Sequence, residues 1–404
     1  MRGNHKQKLL PRMRFPEFHN DGEWKKEKLA KFLVESRIEG STGDTAKKIT
    51  VKLWGKGVFA KEEPIKGSEN TKYYKRRAGQ FIYSKLDFLN QAFGIVPKEL
   101  DGFESTVDLP CFDINDELNA IFLLEYVKRN DFYKKNGEIA DGGRKAKRIQ
   151  TDVFLSFPII LPAHNAEQQK IADCLSSLDD LLTAEVQKLD ALKKYKKGLL
   201  QQVFPREDET EPRLRFPEFR EAEEWETKTL PELAENLNYL RVPVTEKDRT
   251  KGNTPYYGAS GIVDYINNFI FDEDLLCISE DGANLVARTT PIAFSISGKT
   301  WVNNHAHVLR FGHWRIQKIV EDYLNSISLE DYLTGMAQPK LNRAMLDTVP
   351  VPIPQDEDEQ QAIADCLSSL NDLIIAQAKK IEALKNHKRS LVQQLFPVLN
   401  EVPA

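Results

Sequence analysis

The sequence predicts an α+β protein built as an internal duplication, in which two unlike globular regions alternate with two copies of one long helix. Its 404 residues exceed one ordinary hydrophobic core, so two domains plus connecting structure are expected. A short motif recurs at an offset of 201 residues, and a longer segment recurs at an offset of 192. Between these markers the two halves have little in common.

The short motif comes first. Pro11-Arg12-Met13-Arg14-Phe15-Pro16-Glu17-Phe18, followed by Trp24 and Leu29, returns as Pro212-Arg213-Leu214-Arg215-Phe216-Pro217-Glu218-Phe219, then Trp225 and Leu230. The longer segment runs from Glu167 to Phe204 and again from Glu359 to Phe396, with 23 of 38 positions identical. The two offsets differ by nine residues, so the first variable stretch is nine residues longer than the second. The order is variable region, repeat, variable region, repeat, at about residues 25–160, 163–205, 226–352 and 355–397.

Each repeat reads as one long helix. Ile171, Leu175, Leu178, Leu182, Leu189, Leu192, Leu199 and Val203 follow alternating steps of four and three, interrupted by Glu185 and Lys196. The second copy offers Ile363, Leu367, Leu370, Ile374, Ile381, Leu384, Leu391 and Leu395, with Gln377 and Lys388 at the same two interruptions. Asn165 with Gln168 predicts a capping box for the first helix, and Asp356, Glu357 and Asp358 set negative charge at the start of the second. Phe204-Pro205 and Phe396-Pro397 end the copies. At about 1.5 Å per residue such a helix spans roughly 57 Å, enough to act as a spacer. A homodimeric coiled coil would also use this stripe, but two matching seams in one chain have the advantage of effective concentration for pairing with each other.

The first variable region is the more basic, with 25 Lys or Arg against 20 Asp or Glu, whereas the second holds 12 against 16. In the first, Lys72-Tyr73-Tyr74-Lys75-Arg76-Arg77 interleaves cations with aromatics, and Gly142-Gly143 leads into Arg144, Lys145, Lys147 and Arg148. Phosphate contact needs such donors, although a solvated surface run has the same composition. In the second, Tyr256, Tyr257 and Ser260 lie in a turn-rich aromatic segment, and Asn303 and Asn304 are of a type that reads adenine edges or caps a turn. His305 and His307 lack further ligands nearby in sequence, which argues against a metal. At the 192 offset Gly143, Arg148 and Ile149 align with Gly335, Lys340 and Leu341, making Arg148 and Lys340 paired phosphate candidates, with Arg343 close by. Leu161-Pro162 and Ile353-Pro354 read as matching strand-like exits to the helices.

Several classes are disfavoured. No apolar run approaches the roughly 20 residues that span a bilayer, and residues 1–10 lack a secretory signal, so a cytoplasmic protein is expected. The four cysteines form no CxxC pair, which fits a reducing compartment. Gly298-Lys299-Thr300 lacks the earlier phosphate-loop glycine, since Ala293 stands there, and Asn253-Thr254-Pro255-Tyr256 only superficially resembles an amino-methyltransferase motif. No nuclease-like carboxylate cluster is evident, so a non-enzymatic reader is expected.

The doubled Arg-Phe-Pro-Glu-Phe motif with its Trp, the Leu/Ile-Pro exits and the doubled starts Glu167-Gln168-Gln169 and Glu359-Gln360-Gln361 resemble type I restriction-modification specificity subunits. The resemblance implies two α/β target recognition domains separated by a pair of long antiparallel helices, in a pseudo-two-fold arrangement. The corresponding boundaries are 1–162 for the first recognition domain, 163–205 for the first helix, 206–354 for the second domain and 355–404 for the second helix and tail. It further implies a bipartite, asymmetric site on double-stranded DNA, two methyltransferase subunits and motor-nuclease restriction subunits. S-adenosylmethionine, ATP and Mg would belong to those partners, with no cofactor in this chain. Glu185, Lys196, Gln377 and Lys388 are then candidates to face the methyltransferase. The rival readings are a coiled-coil protein-interaction scaffold and a fused methyltransferase.

Overall fold

The computed structural model describes residues 9–62, 67–138, 148–206, 209–335 and 338–397. The chain divides into two compact units, Met1–Ala184 with Ile381–Ala404, and Glu185–Lys380. Each long helix therefore begins in one unit and ends in the other.

The first unit contains β1 (Lys25–Lys28), β2 (Leu33–Ser36), β3 (Ile38–Thr42), β4 (Ile49–Lys52), β5 (Gly57–Ala60), β6 (Lys72–Lys75), β7 (Phe81–Tyr83), β8 (Phe93–Ile95), β9 (Glu104–Ser105) and β10 (Cys111–Ile114). Helices α1 (Ala120–Val127), α2 (Asn130–Gly137) and α3 (Thr151–Ser156), strand β11 (Pro158–Leu161) and the start of α4 (Asn165–Val203) follow. Its central sheet has the order β2-β10-β7-β8, with all neighbours antiparallel. Successive strand residues point to opposite faces. Accordingly Phe81, Tyr83 and Phe112 join the aromatic-rich core beneath the helices, whereas Ile82 and Cys111 join Ile49, Val51 and Val58 on the other side. Phe154 stacks on Phe81 with centroids 5.6 Å apart.

The second unit contains β12 (Glu226–Lys228), α5 (Leu230–Leu233), β13 (Ala234–Asn236), β14 (Lys251–Gly258), β15 (Gly261–Ile266), β16 (Phe271–Asp272) and β17 (Leu275–Ser279). It continues through α6 (Asn284–Ala287), β18 (Ala293–Ile296), β19 (Lys299–Val302), β20 (Ala306–Phe311), α7 (Trp314–Ser326), α8 (Arg343–Leu346), β21 (Val351–Ile353) and α9 (Glu357–Leu395). Its central sheet is β13-β20-β17-β18, again antiparallel throughout. Leu276 and Ile278 face the core under α7, and Leu275 and Cys277 face the opposite core with Phe271 and Val308. The unbroken apolar run Leu275-Leu276-Cys277-Ile278 is the signature of a strand covered on both sides. Two regions with little sequence in common thus form the same four-stranded sheet.

The strand-like exits form as expected, each pairing antiparallel with the strand after the short motif, β11 with β1 and β21 with β12. The helix starts differ from expectation in one detail. Asn165 is the first residue of α4 and donates to the Asp116 carbonyl, while Gln168 accepts from the Asn119 backbone and donates to Glu117. These side chains bind the globular region, so the predicted capping box is absent. At α9 the Asp356 carboxylate accepts from the Asp358 and Glu359 backbone N–H groups and is a true cap.

Within each unit the two helices run antiparallel. In the first, Lys388 meets Asp179 at 2.7 Å; in the second, Lys196 meets Asn371 at 2.6 Å. Ile171, Leu175 and Ile381 are buried on this side, with Leu178, Leu182 and Leu384 half-buried. Ile363, Leu367 and Leu370 are buried in the second unit, with Leu189, Leu192 and Ile374 half-buried.

Candidate nucleic-acid interface

The two duplicated sequence pieces meet in space, and they meet in the same way twice. Arg14 forks onto Glu167 (Nε to Oε1 2.7 Å, Nη2 to Oε2 2.6 Å), and the Trp24 indole donates to the same carboxylate at 3.2 Å. In the second unit Arg215 forks onto Glu359 at 2.8 Å for both bonds, and Trp225 donates at 3.2 Å. Both glutamates are 1% exposed. Hydrogen bonding to these carboxylates raises the affinity of Arg14 and Arg215 for their protons. A buried carboxylate with three charge-assisted or indole donors is satisfied, so the motif and helix start form one joint. The signal for it in the sequence was that both pieces are retained together in both halves.

The polar interruptions of the helical stripe also face inward. Lys388 reaches Glu125 of α1 at 3.2 Å, and Lys196 reaches Asp322 of α7 at 2.7 Å. Glu125 and Asp322 are buried, and each carries a second lysine, Lys128 at the end of α1 at 3.0 Å and Lys318 of α7 at 2.9 Å. Burial pushes the Glu125 carboxyl up, but Lys128 and Lys388 outweigh it and hold the group below its ordinary value. Gln377 donates to the side chain of Glu185 at 2.6 Å, so one position of the repeat meets its own copy. This corrects the expectation that Glu185, Lys196, Gln377 and Lys388 face a partner: each is engaged within its unit.

The candidate DNA contacts divide by burial. Lys72, Lys75 and Arg77 are exposed at β6 and its end, with Tyr73 and Tyr74 half-buried beside them. Arg76 is 2% exposed, donates to the Ser36 carbonyl and Ser105 hydroxyl at 2.8 Å, and is a core brace rather than a surface donor. Arg144, Lys145 and Lys147 lie outside the described residues. Arg148 pairs with Asp108 at 3.5 Å and Lys340 with Glu280 at 3.3 Å. Exposed Arg343 bonds Asp347 one turn on. Tyr257 is half-buried and Ser260 exposed, but Tyr256 is buried with its hydroxyl accepting from Val244 N–H, which removes it from the surface. Asn303 is buried and caps its own turn by accepting from His305 N–H, while Asn304 is exposed.

His307 is buried and donates from Nε2 to the Leu341 carbonyl at 2.7 Å while Nδ1 accepts from Asn238 at 2.8 Å. His305 bonds Asp281. Among the described residues no group of His, Cys, Asp and Glu is placed to hold a metal. Exposed aromatics that sequence reasoning passed over include Trp54, at the positive-φ turn between β4 and β5, and Tyr239 and Tyr265 in the second unit. Gly55 and Gly57 marked the first as a turn, but composition gives no sign of which aromatic stays exposed.

The family description "Type I restriction modification DNA specificity domain" matches residues 110–194 and 222–386, together more than half of the chain. The chain belongs to this family. Among curated relatives, a Haemophilus influenzae protein named as a type I restriction enzyme specificity subunit is 34% identical over 152 residues, 37% of this chain and 39% of that protein. The chain thus spans well under half the length of that relative in the matched region. The MjaVIII specificity subunit of Methanocaldococcus jannaschii is 23% identical over 307 residues, 70% of each protein. Among solved structures, the type I restriction-modification S subunit from M. genitalium shares the fold at a TM-score of 0.63 and 14% identity, covering 97% of this chain and 100% of that one. The second family match takes in the whole α5–α8 region, and the two matches fall largely in the first and the second unit.

Proposed function

We propose that the chain is the DNA-reading subunit of a type I restriction-modification complex, binding a bipartite, asymmetric duplex site and directing methylation and cleavage carried out by other subunits. The observation that carries this reading is the doubled joint, Arg14–Glu167–Trp24 and Arg215–Glu359–Trp225, which fixes two dissimilar domains to equivalent points of duplicated helices. Equivalent mounting with unlike surfaces suits two unlike half-sites. In this reading the partners are double-stranded DNA, two methyltransferase subunits and motor-nuclease subunits. S-adenosylmethionine, ATP and Mg act in those partners, and the chain itself performs no chemistry. The four free cysteines fit work in the reducing cytoplasm.

The test is selection from random duplexes with the chain and its methyltransferase subunit. Two short half-sites at one fixed spacing are expected. Recovery of no common sequence, with the chain instead binding proteins through its variable regions, would establish the scaffold reading. Binding of S-adenosylmethionine by the isolated chain in calorimetry would establish a methyltransferase.

A further inference from the structure

A groove opens in each unit where the late turns of one long helix pass the globular region, and the two grooves use the same helix positions. In the first unit Lys385, Lys388, Arg389, Val392 and Gln393 line it; in the second, Lys193, Lys196, Lys197, Leu200 and Gln201 do so, each 192 residues earlier. The middle cation is already neutralised in both, Lys388 by Glu125 and Lys196 by Asp322. The flanking pairs, Lys385 with Arg389 and Lys193 with Lys197, are exposed. Among the described residues Lys385 has an exposed intrahelical partner, Glu382, and no other.

The cations of the opposite wall are largely matched by acids of the same wall, so the uncompensated charge of the groove is mainly that of the flanking pairs. In the first unit that wall carries Lys128 and Arg129, and among the described residues the buried Arg129 Nη1 has no hydrogen-bond partner. The acids of this wall, Glu125 and Asp131, are both already paired. In the second unit Arg288 lines the wall, and Glu330 is its acid. Such a groove selects an anion. Two cations four residues apart lie about 6 Å apart along the helix axis, close to two of the ~3.4 Å phosphate rises of one DNA strand, so one pair can reach two phosphates of that strand.

The distribution of these cations indicates which anion. Phosphate contacts position a protein on DNA and carry no sequence information, whereas base contacts specify. A chain reading two unlike half-sites can therefore place sequence-independent contacts in the duplicated part, alongside any in the variable regions, and must keep its specific ones in the variable part. We propose that Lys193 and Lys197 in one unit, and Lys385 and Arg389 in the other, grip the phosphate backbone of duplex DNA beside each half-site. This rests on the reading of the chain as a DNA reader.

The experiment compares the full chain, with its methyltransferase subunit, against Lys193→Gln/Lys197→Gln and Lys385→Gln/Arg389→Gln. Duplex affinity is measured over a range of salt, on the selected site and on a scrambled one. Each double variant is expected to reduce the magnitude of the salt slope by about 1.8, or roughly 0.9 per phosphate released. Both duplexes should weaken by the same factor, and the arginine-for-lysine variant Lys193→Arg/Lys197→Arg should keep the original slope. Wild-type slopes in both glutamine variants would overturn the proposal. Loss of methyltransferase co-purification with an unchanged slope would also overturn it, by assigning the grooves to an acidic protein surface. A parent complex without salt-dependent duplex binding would instead remove the underlying reading.

Discussion

Glu167 and Glu359 show how much one buried side chain can hold. Each receives an arginine fork and an indole N–H at the junction of a strand motif and a helix start. Removing one member leaves the other charge buried without compensation, so Glu167→Ala is expected to destabilise the first unit by about 3 kcal/mol in denaturant unfolding. Replacing Arg14 and Glu167 together by apolar residues of similar size should recover most of that loss. His307 gives a pH signature. Burial holds its pKa below the ordinary imidazole value, so the folded state binds fewer protons than the unfolded one as pH falls below about 6.5. Stability is full above that pH and declines beneath it. The melting temperature of the parent should drop more steeply toward acid than that of His307→Gln, and parallel curves would remove the assignment. At this scale the sequence was least informative. Arg76 and Arg77 are adjacent and chemically equal, yet one is a core brace and the other faces solvent, because strand direction and neighbours decide burial.

At the scale of elements, the long helices were legible from their stripe, since a repeat with steps of four and three has few other solutions. Their ends were less so. Asp356 caps α9, and Asp356→Ala should cost about 1 kcal/mol. Asn165→Ala removes a bond to the Asp116 carbonyl instead of a cap, and its effect should be read in the contact between α4 and the loop before α1. The polar interruptions looked available to a partner because sequence gives their spacing but not their neighbours. Gln377 and Glu185 pair with each other, and Lys388 and Lys196 find carboxylates on α1 and α7 that lie 263 and 126 positions away in the chain. Leu175→Ala, at a fully buried position, should cost about 2–5 kcal/mol through the cavity it leaves.

For the whole molecule, the expected division of labour is that the variable regions choose bases and the duplicated parts do not. Substituting residues 226–352 by an unrelated variable region of the same family should change one half-site and leave the other, as read by selection from random duplexes. A change in both half-sites would refute that division. The amino-acid sequence by itself determined the duplication, the helices and the family, because repeats and heptad-like spacing are properties of order along the chain. Only the tertiary structure decided that two unlike regions share one antiparallel sheet order. It alone showed that the short motif and the helix start form one joint, and which cations remain exposed. Those outcomes depend on contacts between residues distant in sequence, where burial and pairing, not residue type, set the role of each side chain.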